Sequence, residues 1–309
     1  MPNLASLITE ARNPLSEHID ELSTLEMLTV INQEDATVAA AVACTLPQIA
    51  RAVDGIAERF GRGGRLFYIG AGTSGRLGVL DASECPSTFS VPPSLVQAMI
   101  AGGDMALRRA SEGAEDSPEN GERDLKAAGF GIANAADATA PTPDTVIGIA
   151  ASGRTPYVLG ALLHARSVKA FTVGLACVEG SPLSKVVDLM IAPVTGPEVI
   201  TGSTRMKAGT ATKMVLNMIS TGVMIKTGAV YGNLMVNVKP SSDKLIDRAQ
   251  RIIMATTECD RYTATRLLIE GGSVKVAIAM QKLGLTRAAA EERLAKAGGS
   301  LTKALRTEG

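Results

Sequence analysis

The stretch RLFYIGAGTSGR, at residues 65–76, decides the fold of this chain. It joins a continuous apolar run to a glycine-rich turn and to the start of a helical pattern. A continuous rather than alternating apolar run is typical of a strand that is buried on both faces of a parallel sheet. Similar runs recur at residues 95–101, 145–150, 170–175 and 189–193. Because they alternate with helical patterns, we predict an α/β fold, a three-layer, doubly wound parallel sheet of five strands.

Helical patterns separate the predicted strands and continue on either side of them. Between the strands they occupy residues 76–83, 105–112, 118–127 and 156–167. Longer patterns precede the first strand, at 35–60, and follow the last strand, at 203–224. We therefore predict an N-terminal helical segment at residues 1–54 that packs on the main domain, a main domain at 55–238, and a small C-terminal all-helical domain at 239–309.

The composition excludes several classes of function. The chain has 309 residues, of which 31 are basic and 31 acidic, so it lacks the excess of Lys and Arg expected of a nucleic-acid-binding protein. Its two histidines and four cysteines do not have the spacing of a metal site. The apolar stretch MVLNMISTGVMI, at residues 214–225, is shorter than the roughly 20 residues of a membrane-spanning helix. We expect a cytoplasmic protein that binds neither nucleic acid nor membrane.

The glycine-rich turn formally contains the dinucleotide fingerprint GxGxxG, but the chain lacks a second feature of such sites. The acidic residue expected about 20 residues later is missing, since the next predicted strand reads LVQAMIAGG, at residues 95–103. Thr73 and Ser74 place hydroxyl groups beside the exposed amides of a helix start, which suits a phosphate monoester. An NAD-dependent dehydrogenase is therefore a disfavoured alternative.

A second turn repeats the first. Residues 149–156, IAASGRTP, again lead from a strand through small residues and Ser-Gly-Arg into a helix. The turn contains Ser152, Gly153 and Thr155, and it falls at the same predicted edge of the sheet. Two such turns predict a site with several hydroxyl groups and amides, as a sugar phosphate requires. The alternative is two ordinary glycine turns that follow strands.

A third segment, EVITGSTRMKAGT at residues 198–210, contains further hydroxyl groups in Ser203 and Thr204. These two side chains could simply cap the following helix. Arg205 and Lys207, however, would lie in the first helical turn, where positive charge opposes the helix dipole. This conflict indicates an anionic ligand or a subunit partner.

Two glutamates are the candidates for proton transfer. Glu84 lies among small and apolar residues, and Glu115 lies between small residues at a predicted connection. Glutamates in different environments can serve as a general acid and a general base. The alternative is that both are solvated surface groups. Of the histidines, His164 lies within a predicted helix and is a poorer candidate.

Three motifs closely resemble the N-acetylmuramic acid 6-phosphate etherase family of the sugar isomerase domain superfamily. They are GAGTSGRLGVLDASECP at 70–86, GIAASGRTPYV at 148–158 and EVITGSTRMKAGTATKMVLNMIS at 198–220. The resemblance extends over essentially the whole chain. Thr204 replaces a second serine, and Ser87 stands where proline is common; neither change removes a hydroxyl group.

The resemblance implies a sugar isomerase domain and a reaction. Members of the family cleave the ether that joins D-lactate to carbon 3 of the sugar, giving N-acetylglucosamine 6-phosphate and D-lactate in the recycling of murein sugar, with no cofactor or metal. Their two catalytic glutamates correspond to Glu115, the base that removes the carbon 2 proton, and Glu84, the proton donor to the lactyl oxygen. We therefore expect Glu84 to be shielded from water.

The resemblance also implies how the substrate is held and how the chain assembles. Phosphate and sugar hydroxyls would be bound by Thr73, Ser74, Ser152, Gly153, Thr155, Ser203 and Thr204. Such domains pair as homodimers with sites near the interface, for which the predicted helix at 207–225 is a candidate, although core burial would explain its apolar residues as well. Residues 283–305 resemble a ubiquitin-associated three-helix fold, for which we expect a role in packing or dimerisation.

Two alternatives share the same fold. One is a non-catalytic phosphosugar sensor similar to the glucokinase regulatory protein. The other is an aldose–ketose phosphosugar isomerase, which would also remove a carbon 2 proton but needs no acid for a leaving group. Release of lactate distinguishes the etherase from both alternatives.

Overall fold

The computed structural model describes residues 8–109, 111–132 and 141–306. The chain forms two compact units. The first consists of residues 1–83 and 93–220, and the second consists of residues 84–92 and 221–309. Two helices contain residues of both units. The three-part division at residues 54 and 238 stays a prediction.

The first unit contains the expected parallel sheet of five strands, in the order β2-β1-β3-β4-β5. Each strand lies within one or two residues of its predicted bounds. The strands are β1 Leu66–Gly70, β2 Val96–Ile100, β3 Thr145–Ile149, β4 Phe171–Leu175 and β5 Leu189–Ile191. All residues of β1 and β3 are buried, which is why their sequences show no alternation.

Helices cover both faces of this sheet, as the three-layer prediction requires. On one face, Phe67 and Ile69 of β1 join a core that includes Tyr157 and Leu162. On the other face, a Cβ atom added to Gly78 would lie 3.0 Å from Cβ of Tyr68. The helices are α1 Thr24–Asp35, α2 Val38–Ala43, α3 Leu46–Gly61, α4 Gly72–Phe89, α5 Met105–Arg108, α6 Pro118–Ala127, α7 Pro156–Ser167 and α8 Lys207–Lys226.

Four helices differ from their prediction, and one of them, α8, begins four residues after its expected start at residue 203. The helix expected at 35–60 is divided into α2 and α3 at Thr45, whose hydroxyl donates to the carbonyl of Val42 at 2.8 Å. Helix α4 begins four residues before the expected position and continues through Pro86. Helix α5 ends at Arg108, four residues before its expected end.

Among the described residues no single helix is long and apolar enough to cross a membrane, although the bent pair Thr24–Ala43 and Leu46–Gly61 meets that test by length and composition.

An ion pair between a buried carboxylate and a half-buried arginine joins two strands at the amino end of the sheet. Asp144 has no exposed side-chain surface, and its Oδ2 atom lies 2.6 Å from Nη2 of Arg65. Its carboxylate also accepts hydrogen bonds from Nε of Arg65 at 3.2 Å and from the backbone amides of Arg65 and Gly131, each at 3.0 Å. Arg65 precedes β1 and Asp144 precedes β3, so this pair joins two neighbouring strands at their starts.

The second unit is mostly helical. Its helices are α9 Asp243–Thr257, α10 Arg261–Gly271, α11 Val274–Leu283, α12 Arg287–Lys296 and α13 Leu301–Leu305, which surround one apolar core. It also contains a short antiparallel pair, β6 Val230–Tyr231 and β7 Leu234–Met235. The sequence does not predict this pair, because two residues are too few to show a strand periodicity.

Candidate active site at the carboxyl end of the sheet

Both Ser-Gly-Arg turns lie at the point where the strand order of the sheet reverses. Strands β1 and β3 are hydrogen-bonded neighbours, and their last residues, Gly70 and Ile149, are paired in register. The helices that follow these strands leave toward opposite faces, which opens a crevice between them. Ligands of doubly wound folds bind in this crevice. The expectation that the two turns share one edge of the sheet is therefore confirmed.

Glycines bring the first turn against the sheet. A Cβ atom on Gly70 would lie 2.7 Å from the amide nitrogen of Gly75, and one on Gly75 would lie 2.6 Å from Cγ1 of Ile100. Gly72 has a positive φ of 51°, which glycine adopts without strain. As a result, Thr73 and Ser74 occupy the first turn of α4, where backbone amides lack helical partners.

The second Ser-Gly-Arg turn, at residues 149–156, also packs closely against a neighbouring segment. Gly153 has a φ of 64°, and a Cβ atom there would lie 2.2 Å from Oγ of Ser181. Thr155 is the N-cap residue of α7, yet its side chain makes no capping hydrogen bond. The hydroxyl groups of Ser152 and Thr155 are therefore not used to hold the turn itself.

Ser203 and Thr204 do not cap α8, so the simple structural explanation for them is wrong. The helix begins at Lys207, and its first amides are bound by a residue nine positions upstream. The buried carboxylate of Glu198 accepts hydrogen bonds from the amides of Lys207 and Ala208, each at 2.9 Å. The sequence does not reveal this role of Glu198, because the carboxylate lies nine positions before the first amide that it caps.

The charge of Lys207 is also explained without a ligand. Its ammonium group is buried and lies 2.6 Å from Oε2 of Glu34. The same oxygen accepts a hydrogen bond from Nδ2 of Asn13 at 2.7 Å. Burial alone would raise the pKa of Glu34, but the bonds from Lys207 and Asn13 hold it below its ordinary value. Arg205 remains exposed, so of the two cations in this segment only Arg205 is available to an anion.

Six hydroxyl groups surround this end of the sheet, and all six side chains are half-buried. Within the part of the chain that the structure describes, none of them has a side-chain hydrogen-bond partner. They belong to Thr73, Ser74, Ser152, Thr155, Ser203 and Thr204. Because each hydroxyl group can both donate and accept a hydrogen bond, this set is suited to a ligand with several hydroxyl groups.

The third segment lies close to the first turn. A Cβ atom on Gly209, in the first turn of α8, would lie 3.6 Å from Cγ2 of Thr73 and 3.6 Å from the carbonyl oxygen of Thr204. The structure thus places the side chain of Thr73 and the backbone of Thr204 on either side of Gly209.

Glu115 lies beside the first glycine turn. It belongs to a short 3₁₀ turn, Ala114–Asp116, which follows Gly113 with a φ of 72°. Its side chain is exposed, and it lines a cavity of about 230 Å³ together with Gly72 and Arg76. A carboxylate is thus placed next to the candidate phosphate-binding turn.

Arg76 positions the segment that leads to Glu115, a role that the sequence analysis did not assign. Its Nη2 atom donates to the carbonyl of Ala106 at 2.7 Å, and its Nε atom donates to that of Leu107 at 3.2 Å. These carbonyl oxygens would otherwise accept bonds within a longer α5. The arginine therefore explains the early end of α5 and ties its loop to α4. The recurrence of Ser-Gly-Arg in both turns was the available clue.

Glu84 belongs to the second unit, on α4. Ser87 donates its hydroxyl proton to the backbone carbonyl of Glu84 at 3.1 Å. Cys85 and Phe89 point into the protein, whereas Glu84 lies on the outer face of the helix and is exposed. The single chain therefore does not shield Glu84 from water, and the expected shielding at the site stays a prediction.

Two further features of the described residues concern metal binding and thiol chemistry. No cluster of three or more His, Cys, Asp or Glu side chains that could hold a metal ion occurs there. The thiol of Cys177 is buried, and burial raises its pKa to about 12. A thiol that stays protonated is a poor nucleophile.

Comparisons with known proteins agree with the motifs. The family model of the glucokinase regulatory protein N-terminal SIS domain matches residues 48–166. The N-acetylmuramic acid 6-phosphate etherase of Aeromonas hydrophila is 54% identical over 302 residues, which is 97% of this chain and 98% of that protein. The enzyme of the same name from Clostridium beijerinckii is 53% identical and covers 98% of this chain and 97% of its own length.

Among solved structures, a phosphoheptose isomerase from Francisella tularensis matches with a TM-score of 0.44 and 17% identity, over 65% of this chain and 98% of that one. The two relatives share more than half of their residues with this chain over nearly its full length. The chain therefore belongs to the N-acetylmuramic acid 6-phosphate etherase family.

Proposed function

We propose that the protein cleaves the D-lactyl ether of N-acetylmuramic acid 6-phosphate, giving N-acetylglucosamine 6-phosphate and D-lactate. One observation carries the proposal: the two Ser-Gly-Arg turns at the ends of β1 and β3 present hydroxyl groups without protein partners, and Glu115 lies beside the first turn. The activity in the names of its relatives matches this arrangement.

The hydroxyl groups divide between the two parts of the ligand. Thr73 and Ser74, with the free amides of the first turn of α4, bind the phosphate, because a helix N-terminus favours an anion. The remaining hydroxyl groups bind the sugar, and Gly153 lets it approach the backbone closely. These are Ser152, Thr155, Ser203 and Thr204.

The reaction is an elimination followed by an addition. Opening of the pyranose ring exposes an aldehyde at carbon 1, which acidifies the hydrogen on carbon 2. Glu115 takes this proton as the base, and the protonated carboxyl group of Glu84 donates to the lactyl oxygen as its bond to carbon 3 breaks. D-lactate leaves, and a double bond joins carbons 2 and 3 of the α,β-unsaturated aldehyde.

Addition of water restores both carboxyl groups. Glu84, now ionised, removes a proton from water as the hydroxyl group adds to carbon 3, and Glu115 returns its proton to carbon 2. The net reaction consumes one water and needs no oxidant or reductant. Each glutamate ends in its starting protonation state, so the cycle can repeat.

The protein acts as a homodimer in the cytoplasm, with its sites near the interface. The exposure of Glu84 and Glu115 in the single chain supports this arrangement, since proton transfer is controlled best when bulk water is excluded. Helix α8 leaves Met218 and Ile225 exposed at 37% and 53%, and a partner would cover such apolar side chains.

The first test is to incubate the purified protein with N-acetylmuramic acid 6-phosphate, without added metal or nucleotide, and to assay D-lactate. We expect turnover. Saturable binding of the phosphosugar without lactate would instead favour a non-catalytic sensor; the matching family model is that of a regulatory protein's SIS domain. Absence of both would contradict the proposed substrate, and aldose–ketose isomerase assays would follow.

The variant Glu84→Gln tests the acid separately. We expect it to block lactate release while leaving exchange of the carbon 2 hydrogen with deuterated water intact. Normal turnover of this variant would show that Glu84 is not the proton donor.

A further inference from the structure

The segment before α1, residues 8–23, is held to the first unit by polar side chains. All of these residues are described by the structure, and only three of their side chains are buried, each of them polar: Thr9, Asn13 and Ser16. The apolar side chains of the segment are exposed or half-buried, and Leu15 is 67% exposed. A segment that buries so little apolar surface gains little from the hydrophobic effect. Its hydrogen bonds therefore decide where it lies.

These hydrogen bonds reach the β5–α8 loop, residues 192–206 of the same unit, which contains no helix or strand. The buried hydroxyl group of Ser16 donates to the backbone carbonyl of Val199 at 2.7 Å. Nδ2 of Asn13 donates to the backbone carbonyl of Pro197 in a longer bond of 3.4 Å. Two carbonyl groups near the middle of the loop are thus bound by the N-terminal segment.

A second contact of the same segment holds the far end of the loop. Nδ2 of Asn13 also donates to Oε2 of Glu34 at 2.7 Å, and this oxygen lies 2.6 Å from Nζ of Lys207, the first residue of α8. All three side chains are buried. An amide NH₂ group has two hydrogens, so Asn13 can serve both acceptors at once. It therefore connects the middle of the loop, at Pro197, with the helix that follows the loop.

Ser203 and Thr204 lie between these two contacts. Their amides donate within the loop, that of Ser203 to the carbonyl of Ile200 at 2.9 Å and that of Thr204 to the carbonyl of Gly202 at 3.0 Å. The N-terminal segment also packs here, since a Cβ atom on Gly202 would lie 3.1 Å from Oε2 of Glu10. The tight turns orient the two hydroxyl groups within the loop, and the N-terminal segment holds the loop itself.

We propose that Asn13, Ser16 and Glu34 are positioning residues, which hold the hydroxyl groups of the β5–α8 loop where they meet the sugar. Buried hydrogen bonds are directional, so they restrict the loop more narrowly than apolar contacts would. This inference rests on the proposed function and extends it, because it gives a segment outside the sheet a role in substrate binding. The alternative is that the segment only stabilises the fold.

The test compares Ser16→Ala with a matched control in the same segment. Thr9 is also buried, but among the described residues its hydroxyl group has no hydrogen-bond partner, so Thr9→Val removes a buried hydroxyl group and no bond. We expect Ser16→Ala to raise KM for N-acetylmuramic acid 6-phosphate by roughly three- to tenfold, the usual value of a neutral hydrogen bond, with kcat unchanged. Amide hydrogen exchange of residues 199–206, measured by mass spectrometry, should become faster. Thr9→Val should change none of these values.

A double-mutant cycle separates positioning from support of the fold. In a variant that lacks both loop hydroxyl groups, Ser203→Ala with Thr204→Val, the change Ser16→Ala should raise KM no further. In Ser74→Ala, whose hydroxyl group lies on another turn, the effects on KM should multiply. Asn13→Ala, which removes contacts to both the loop and Glu34, should raise KM more than Ser16→Ala and depend on the two hydroxyl groups in the same way.

Three results would overturn the proposal. An unchanged KM in Ser16→Ala would show that the segment does not act on the substrate, and unchanged amide exchange would show that it does not hold the loop. Equal rises in KM with and without the two loop hydroxyl groups, together with a lower melting temperature, would mean that it only supports the fold. Absence of lactate from the wild type would contradict the proposed function alone, and the same cycle would then use the calorimetric Kd of N-acetylglucosamine 6-phosphate. A wild type that binds no phosphosugar would contradict both.

Discussion

The two ends of the parallel sheet use their polar groups in opposite ways. At the amino end, the buried carboxylate of Asp144 is bound by the side chain and amide of Arg65 and by the amide of Gly131. At the carboxyl end, six half-buried hydroxyl groups have no side-chain partner among the described residues. The first arrangement stabilises the fold, because the buried carboxylate has its hydrogen-bond partners within the protein. The second leaves hydrogen-bonding capacity for a ligand, at no gain to the stability of the free protein.

The same two strands connect the two ends of the sheet, so substitutions at each end can distinguish a role in stability from a role in function. Strands β1 and β3 begin at the ion pair and end at the two Ser-Gly-Arg turns. Substitutions at the amino end should therefore change stability without changing the chemistry, and those at the carboxyl end should do the reverse.

The largest expected effect is at the carboxyl end, in Glu115→Gln. Removal of the base should lower kcat by about 10²–10⁴-fold and abolish exchange of the carbon 2 hydrogen with deuterated water. The melting temperature should not change, since Glu115 is exposed. Exchange is measured by NMR. Full exchange in this variant would exclude Glu115 as the base.

The largest effect at the amino end is expected for Asp144→Ala. It leaves the half-buried guanidinium group of Arg65 and the backbone amides of Arg65 and Gly131 without their carboxylate, which should lower the free energy of unfolding by about 3–5 kcal/mol. Denaturant titration measures this value, with Asp20→Ala as the control at an exposed position. The folded fraction should keep the KM of the wild type. A loss below about 1 kcal/mol, the range of surface pairs, would contradict the role assigned to this pair.

A smaller effect at the carboxyl end is expected for Ser74→Ala. Loss of one hydrogen bond to the phosphate should raise KM for the phosphosugar about tenfold, with little change in kcat. Stability should stay within about 0.5 kcal/mol of the wild type, because the hydroxyl group has no side-chain partner to lose. Ser94→Ala, at an exposed position away from the turn, is the control. A change in kcat alone would argue against phosphate binding by this residue.

The smallest expected effect concerns the pH dependence of stability. Burial lowers the pKa of His164 on α7, and nearby Lys126 lowers it further, while Glu122 acts in the opposite direction. The unfolded chain therefore binds a proton at higher pH than the folded chain. Stability is lost as the pH falls through the ordinary histidine pKa of 6.5 toward the lowered value. His164→Asn should flatten this part of the curve in denaturant titrations between about pH 7.5 and 5.5, and an unchanged slope would refute the assignment.

The parallel sheet could be predicted because a strand that is buried on both faces has a continuous run of apolar residues. All five strands lie within two residues of their predicted bounds, and Thr73, Ser74, Ser152 and Thr155 fall at one edge as expected. That edge follows from topology alone, since parallel strands all end on the same side. The helices were less predictable, because their ends depend on distant side chains.

Particular residues show where local patterns were insufficient. Helix α8 begins at Lys207 because the carboxylate of Glu198 binds its first amides, and α5 ends early because Arg76 takes its carbonyl oxygens. The positive charge of Lys207, which opposes the dipole of α8, is balanced by the carboxylate of Glu34, 173 positions earlier in the chain. No pattern within a window of a few residues contains these partners.

The sequence by itself determined where the strands lie along the chain, the two hydroxyl-bearing turns and the family motifs. It could do so because hydrophobic periodicity and glycine placement act over short distances. Only the tertiary structure decided which polar groups are already satisfied. Lys207 pairs with Glu34, and Glu198 accepts hydrogen bonds from the first amides of α8. Among the described residues, the six hydroxyl groups have no hydrogen-bond partner, and Glu84 is exposed on the outer face of α4. The physical reason is that hydrogen bonds and desolvation depend on which residues meet in space, and chain folding brings together groups that the sequence keeps far apart.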